Sequence, residues 1–160
     1  MDLPGCSPFT KAHGELFFGR EWEVEQLLGL LEAARTGGPR WVQIEGPRGV
    51  GKTSLVHAGL LPRLSWQVLS ARPAALLELL DAPVEERAPE GTCVLVVLED
   101  WEDLALLAGS QRRWLDERLA TALTRAGSRL RLLTTMRAED RKSTRLNSSH
   151  SGESRMPSSA

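Results

Sequence analysis

The segment GPRGVGKT, residues 46–53, decides the fold of this chain of 160 residues. It fits G-x-x-x-x-G-K-[ST] at every fixed position, the pattern of a loop that wraps the phosphates of a nucleotide. Its glycines let the backbone approach an anion closely, and the first amides of the following helix point at the same place. The candidate phosphate-binding residues are Gly46, Pro47, Arg48, Gly49, Val50, Gly51, Lys52, Thr53 and Ser54.

Two side chains of this loop have specific expected roles. Lys52 is expected to reach the β- and γ-phosphates, and the hydroxyl of Thr53 is expected to hold Mg²⁺. The context agrees with this interpretation, because an apolar run at residues 41–45 precedes the loop and a helical pattern follows it to residue 62. The sequence therefore predicts a site for a nucleoside triphosphate with Mg²⁺, and ATP is the first candidate.

Helices and strands alternate on both sides of the loop. Val24, Leu27, Leu28 and Leu31 have helical spacing, which predicts a helix before the first strand. Further strands are predicted at 66–71, 93–98 and 130–135, and further helices at 73–80 and 114–123. This order predicts an α/β fold with three layers and a mostly parallel sheet. About four strands are expected, and the fifth strand of a complete core is expected to be missing.

Acidic residues follow the third apolar run. Enzymes with such a loop use an acid at a neighbouring strand end to hold Mg²⁺ through water, and often a second acid to polarise the attacking water. Glu99 takes the first position by register, and Asp100 takes it if the strand ends one residue later. Thr53, Glu99 and Asp100 are thus candidate magnesium ligands, and Glu99, Asp100 and Glu102 are candidate catalytic acids. The alternative is a solvated acidic loop.

The fourth strand ends in the polar and cationic residues TTMR, 134–137. The tip of this strand is expected beside the phosphate-binding loop. Arg137 could then stabilise charge on the γ-phosphate, or Thr134 or Thr135 could orient a water molecule. The alternative for Arg137 is a surface charge at a strand end.

Composition excludes several other classes of protein. With 26% charged and 41% hydrophobic residues and a net charge of −1, the chain has the composition of a globular domain without a large basic patch. This argues against a nucleic-acid partner. No apolar run is long enough to span a membrane. Cys6 and Cys93 form neither a disulfide framework nor a zinc spacing. No signal peptide is visible, so a cytoplasmic protein is expected.

The sequence changes character at Asp140, where a Ser-rich stretch without apolar period begins. Codons for residues 140–150 can be chosen, without a mismatch, to spell the adapter ligated to DNA fragments in short-read sequencing. Residues 154–160 likewise match the far end of that adapter. We therefore expect an N-terminal loop segment (1–16), a partial nucleotide-binding domain (17–139) and a non-native, disordered tail (140–160). The rest of the chain is then mildly acidic.

Four segments resemble the bacterial STAND-class ATPases, above all the modules called novel STAND NTPases. They are SPFTKAHGELFFGREWEVEQLL (7–28), GPRGVGKTSLVHAGLLPRL (46–64), VLVVLEDWEDL (94–104) and LLTTMR (132–137). The resemblance covers residues 7–139. It implies an ATPase that signals by switching between a closed monomer and an open oligomer, with protein partners or self-assembly through C-terminal domains that this chain lacks.

The resemblance also implies roles for particular residues. Phe18, Gly19 and Arg20 would lie near the adenine, and Arg137 would sense the γ-phosphate. Many members have Asp-Gln-Phe-Glu-Glu where this chain has EDWED at 99–103, and this departure bears on the metal-binding assignment. The isolated fragment is expected to bind nucleotide weakly and to hydrolyse little of it. Alternatives are an AAA+ ATPase of the origin-recognition kind acting on DNA, and an inactive nucleotide-binding scaffold.

Overall fold

The computed structural model describes residues 10, 12, 14, 17–87, 89–140 and 153–157. Its centre is a sheet of five parallel strands in the order β2-β3-β4-β1-β5. The strands are β1 (Trp41–Gly46), β2 (Gln67–Ala71), β3 (Val94–Leu98), β4 (Leu130–Arg137) and β5 (Glu153–Pro157). The predicted α/β class and parallel sheet are confirmed.

Helices cover both faces of the sheet. They are α1 (Glu21–Ala33), α2 (residues 52–63), α3 (Pro73–Leu79) and α4 (Gly109–Ala126). Helix α2 begins as an α-helix over Lys52–Ser54 and continues as a π-helix over Leu55–Leu60 and a 3-10 turn over Leu61–Arg63. A further 3-10 segment spans Trp101–Leu106. The predicted helix before β1 is therefore present as α1.

Alternation along the strands divides the interior into two cores. In β3, residues 94, 96 and 98 pack with α3, α4 and the 3-10 segment, whereas residues 95 and 97 pack with α1 and α2. All five β3 side chains are buried, as expected for a strand covered on both faces. Transfer of such side chains from water is the main force that holds the three layers together.

Strand β4 lies between β1 and β3. Gly46 at the end of β1 pairs with Arg137, and Leu98 at the end of β3 pairs with Thr134. Because the strands are parallel, the three carboxyl ends form a row at one edge of the sheet. This edge is where open α/β sheets bind their ligands.

The four expected strands are present as β1 to β4, and the sheet also contains a strand that was not expected. Residues 153–157 form β5, which pairs in parallel with the outer side of β1. An uncovered strand edge offers unpaired N–H and C=O groups, and an extended segment satisfies them. The predicted disorder of the remaining tail concerns residues 141–152 and 158–160, which lie outside the described residues. So does most of the predicted loop at 1–16. The adapter origin of the tail and the truncation stay predictions.

The sequence pattern did not reveal that Trp101 is buried. The 3-10 segment that it begins was expected only as an acidic loop, yet Trp101 is buried and packs edge-on against Trp41, with ring centroids 5.8 Å apart. This packing fixes the acidic residues on either side of it.

In the part of the chain that the structure describes, no helix is long and apolar enough to cross a membrane.

Candidate nucleotide-binding site

The phosphate-binding loop joins β1 to α2 in a tight turn. Gly49 and Gly51 have φ of 80° and 86°, a region that side chains with a Cβ seldom adopt. The amide of Val50 donates to the carbonyl of Pro47, and the amide of Leu55 donates to the carbonyl of Gly51 at 2.8 Å. The helix therefore starts directly after the loop, where its first amides have no acceptor within the helix.

Lys52 lies across this loop. Its Nζ donates to the carbonyl oxygens of Gly46 and Pro47 at 2.8 and 2.9 Å. Burial lowers the pKa of Lys52, and this effect is opposed by the negative charges of Glu102, Glu139 and Asp100. Two of these three carboxylates belong to the predicted acidic group. Asp100 and Glu102 therefore lie within electrostatic reach of Lys52.

Arg137 also reaches this group. It is the last residue of β4, and its Nε donates to Oε1 of Glu102 at 2.7 Å. The carboxylate of Glu102 is 8% exposed, whereas the Arg137 side chain is 42% exposed. A nearly buried carboxylate therefore holds the arginine at the point where β4 meets the loop.

Glu99 makes a different contact. One of its carboxylate oxygens bonds to Nε2 of His57 on α2. This hydrogen bond raises the pKa of His57 against the effect of burial, and it lowers the pKa of Glu99. Sequence reasoning missed His57, although it follows Thr53 by four residues and so lies on the same side of α2.

Asp100 has an unusual backbone. Its φ and ψ are both 51°, which makes it the one non-glycine residue with positive φ in the described part of the chain. Its amide donates to Oγ1 of Thr135 at 3.4 Å, and its carboxylate lies 3.1 Å from Nη2 of Arg72. Burial raises the pKa of Asp100, although Arg72 opposes this. Strained backbone of this kind is concentrated at functional sites.

The two threonines before Arg137 differ in their surroundings. Thr134 is fully buried, and its hydroxyl accepts from Nε1 of Trp41 at 3.1 Å. Thr135 is close to the acidic segment through its bond to Asp100. Either hydroxyl was a candidate for orienting a water molecule. The hydroxyl of Thr134 is already hydrogen-bonded inside the core.

The start of α1 is tied to the loop through Arg20. Its Nη1 donates to the carbonyl of Val50 at 2.9 Å, and its Nε donates to Glu23 at 3.1 Å. Gly19 has a φ of 85°, and the Phe18 side chain is 74% exposed. The structure therefore brings Arg20 to the loop, whereas the Phe18 ring is on the surface.

Comparison with known proteins agrees with this arrangement. The profile of a protein family described as Novel STAND NTPase 1 matches residues 3–151. The chain belongs to this family. No curated protein matches it.

A novel STAND NTPase uses a nucleoside triphosphate, so the described residues can be tested for their fit to Mg²⁺. None of them forms a group of three or more His, Cys, Asp or Glu side chains able to hold a metal ion. Mg²⁺ bound beside phosphates keeps several waters and takes only one or two carboxylates. A hydroxyl at Thr53 and the carboxylates near Lys52 fit that donor set.

Proposed function

We propose that this chain is the ATP- and Mg²⁺-binding module of a signalling STAND NTPase, and that the nucleotide switches its conformation. The observation that carries the proposal is the row formed by the loop, Arg137 and the acidic segment at one edge of the sheet. Residues 17–139 would form this nucleotide-binding unit. The residues proposed for phosphate binding are those of 46–54, with Arg20 supporting the loop from outside.

Binding requires Lys52 to exchange its partners. Its ammonium now bonds two carbonyl oxygens of its own loop. Phosphate oxygens carry negative charge, so they are stronger acceptors than carbonyl oxygens and would take over these bonds. The amides at the start of α2 and the glycine-rich turn would donate to the same phosphates.

The metal would be held by Thr53 with a carboxylate of the acidic segment. When bound, Mg²⁺ would neutralise charge on the phosphates and orient them. Asp100 and Glu102 are favoured for contact with the metal's water, because their charges act on Lys52. Glu99 remains a candidate, but it must first leave His57.

Arg137 supplies the switch. Its guanidinium is paired with Glu102, and a γ-phosphate would compete with that carboxylate for it. Moving Arg137 would break its hydrogen bond to Glu102, which belongs to the 3-10 segment around Trp101. A change at the phosphate would therefore reach that segment, and from there further domains or protein partners. Adenine near Phe18 and Gly19 remains part of the proposal.

Hydrolysis by this chain alone is expected to be slow. The candidate acids Glu99 and Glu102 are each bonded to a cationic or titratable side chain, which competes with activation of a water molecule.

The Glu99–His57 contact also favours a second candidate function, that of a nucleotide-binding scaffold without turnover. Nucleotide turnover that is abolished by Glu102→Gln or Asp100→Asn would decide for the ATPase.

The binding proposal is tested by removing one hydroxyl. Titration calorimetry would measure the Kd of ATP with and without Mg²⁺ for the wild type and for Thr53→Val. We expect Mg²⁺ to tighten ATP binding to the wild type and to have little effect on the variant. Thr124→Val on the exposed face of α4 is the matched control. Equal gains from Mg²⁺ in all three proteins would overturn the proposed metal site.

A further inference from the structure

A cavity opens at the edge of the sheet opposite the phosphate-binding loop, where the strands begin. Its volume is about 550 Å³, which is in the range of sites for small organic molecules. Arg35, Trp66 and Arg129 are among the residues that line it. Arg131 and Arg137 are six residues apart on β4, so the two edges are about 20 Å apart at 3.3 Å per residue.

A fully buried arginine lies against this cavity. Arg131 has no exposed surface, and its guanidinium stacks on Trp66, with Cζ 4.7 Å from the ring centroid. Its Nη1 donates to Sγ of Cys93 and to the carbonyl of Ser128, both of which line the cavity. The guanidinium therefore adjoins one side of the cavity.

The bonds of Arg131 leave its charge uncompensated within the described part of the chain. Nε donates to the carbonyl of Leu31 at 2.6 Å, and Nη2 is buried without a hydrogen-bond partner there. The acceptors found are carbonyl oxygens and a sulfur atom, and no ion pair with a carboxylate is present among the described residues. A buried charge in this state is costly, and an anion beside it would lower that cost.

The cavity lining has the chemistry that an anion requires. Its described residues include two arginines and three hydroxyl side chains, with no carboxylate among them: Arg35, Arg129, Ser65, Thr92 and Ser128. Arg129 is held in place by bonds to the carbonyls of Thr92 and Pro89. Arg35 is largely exposed, with Glu32 3.8 Å away, so it can turn towards a ligand.

We propose that this cavity binds a small organic anion that carries a phosphate or carboxylate group. Arg35 and Arg129 would bind the charged group from the rim, and Arg131 would attract it from beneath. Trp66 would contact the carbon skeleton of the ligand. The site is separate from the phosphate-binding loop and does not depend on the function proposed for that loop.

The test uses the whole chain, labelled with nitrogen-15, and two probes. Phenyl phosphate and benzoate are titrated at constant ionic strength, with sodium chloride as the reference salt, while amide shifts are followed. We expect saturable shifts at Thr92, Ser128 and Arg129 from at least one probe. The more effective probe tells whether phosphate or carboxylate is preferred. Shifts confined to Gly49 and Gly51, or no saturation below about 10 mM, would overturn the proposal.

Three variants make the test specific. Arg35→Gln and Arg129→Gln should each weaken binding about fivefold or more, since each removes a charged donor. Arg113→Gln, on the exposed face of α4, is the matched control and should bind like the wild type. Arg35 is exposed, so its variant is expected to fold even if Arg129→Gln does not. Binding unaffected by Arg35→Gln, or weakened equally by Arg113→Gln, would contradict the assignment.

Discussion

Arg137 is bonded through Nε to Oε1 of Glu102 at 2.7 Å, while its Cα is paired with Gly46 in the sheet. One residue therefore touches both the first glycine of the phosphate-binding loop and the acidic segment. The amide of Arg137 also lies 3.4 Å from Oε2 of Glu102, so the carboxylate contacts the backbone as well as the side chain. This pair is the part of the proposed site whose state a γ-phosphate would change.

Replacing Arg137 should therefore affect ATP more than ADP. Arg137→Ala is expected to weaken ATP binding about tenfold, the size of one charge-assisted hydrogen bond, and to leave ADP binding almost unchanged. Measured without Mg²⁺, Glu102→Gln should do the reverse and tighten ATP binding, because it frees the arginine. Calorimetric titration of both nucleotides measures this, with exposed Arg125→Ala as the control. Equal losses for ATP and ADP would count against a sensor role.

The His57–Glu99 contact predicts how stability depends on pH. The contact raises the pKa of His57 above its ordinary value of 6.5, so its stabilisation is complete below that value. The stabilisation is lost as pH rises through the higher pKa of the folded state. The contact lowers the pKa of Glu99 below 4.5, so its contribution is present above 4.5 and is lost as pH falls through the lower folded value.

The pair should therefore stabilise the fold most between about pH 4.5 and 6.5. Urea unfolding at a series of pH values would show the free energy of unfolding falling as the pH rises above this window. In His57→Gln that decline should be much smaller. An unchanged decline would mean that other groups cause it.

The backbone of Asp100 predicts an unusual order of substitutions. Positive φ costs alanine about 1 kcal/mol more than glycine or asparagine. Asp100→Gly and Asp100→Asn should therefore unfold at higher urea concentration than Asp100→Ala. The comparison is made without nucleotide, so that loss of a metal contact does not contribute. If Asp100→Ala were the most stable of the three, the assigned φ would be wrong.

Arg20 should act on nucleotide affinity through the loop. Arg20→Met keeps the length of the side chain but removes the bonds to the carbonyl of Val50 and to Glu23. We expect a loop that is less ordered before binding, and an ATP Kd raised about fivefold. Arg63→Met, which breaks an exposed ion pair with Glu25 near the same helices, serves as the control. Similar affinity in both variants would remove Arg20 from the proposed site.

Local patterns were enough to predict the strands and the position of the tip of β4 beside the phosphate-binding loop. The apolar run ending at Leu98 is a buried strand, and the polar end of β4 does bring Arg137 beside Gly46. Such features depend on residues that are neighbours in sequence. The partners of Glu99 and Arg20 lie 42 and 30 residues away, so no local pattern reveals them.

Arg131 illustrates the same limit within a single strand. It stands in a run predicted as apolar, and its charge would ordinarily place it on the surface. Its burial depends on the end of α1, on Trp66 and on Ser128, which only the folded chain brings together. The acidic sequence likewise conceals the positive φ of Asp100 and the burial of the neighbouring Trp101.

The most direct test of the central claim is the affinity of the chain for MgATP, measured by titration calorimetry in the wild type and in Lys52→Ala. Lys52 is the one side chain of the loop expected to meet the β- and γ-phosphates, so its loss should weaken binding at least tenfold. Circular dichroism would verify that the variant is folded. Binding to Lys52→Ala as tight as to the wild type would contradict the assignment of residues 46–53 as the phosphate-binding loop.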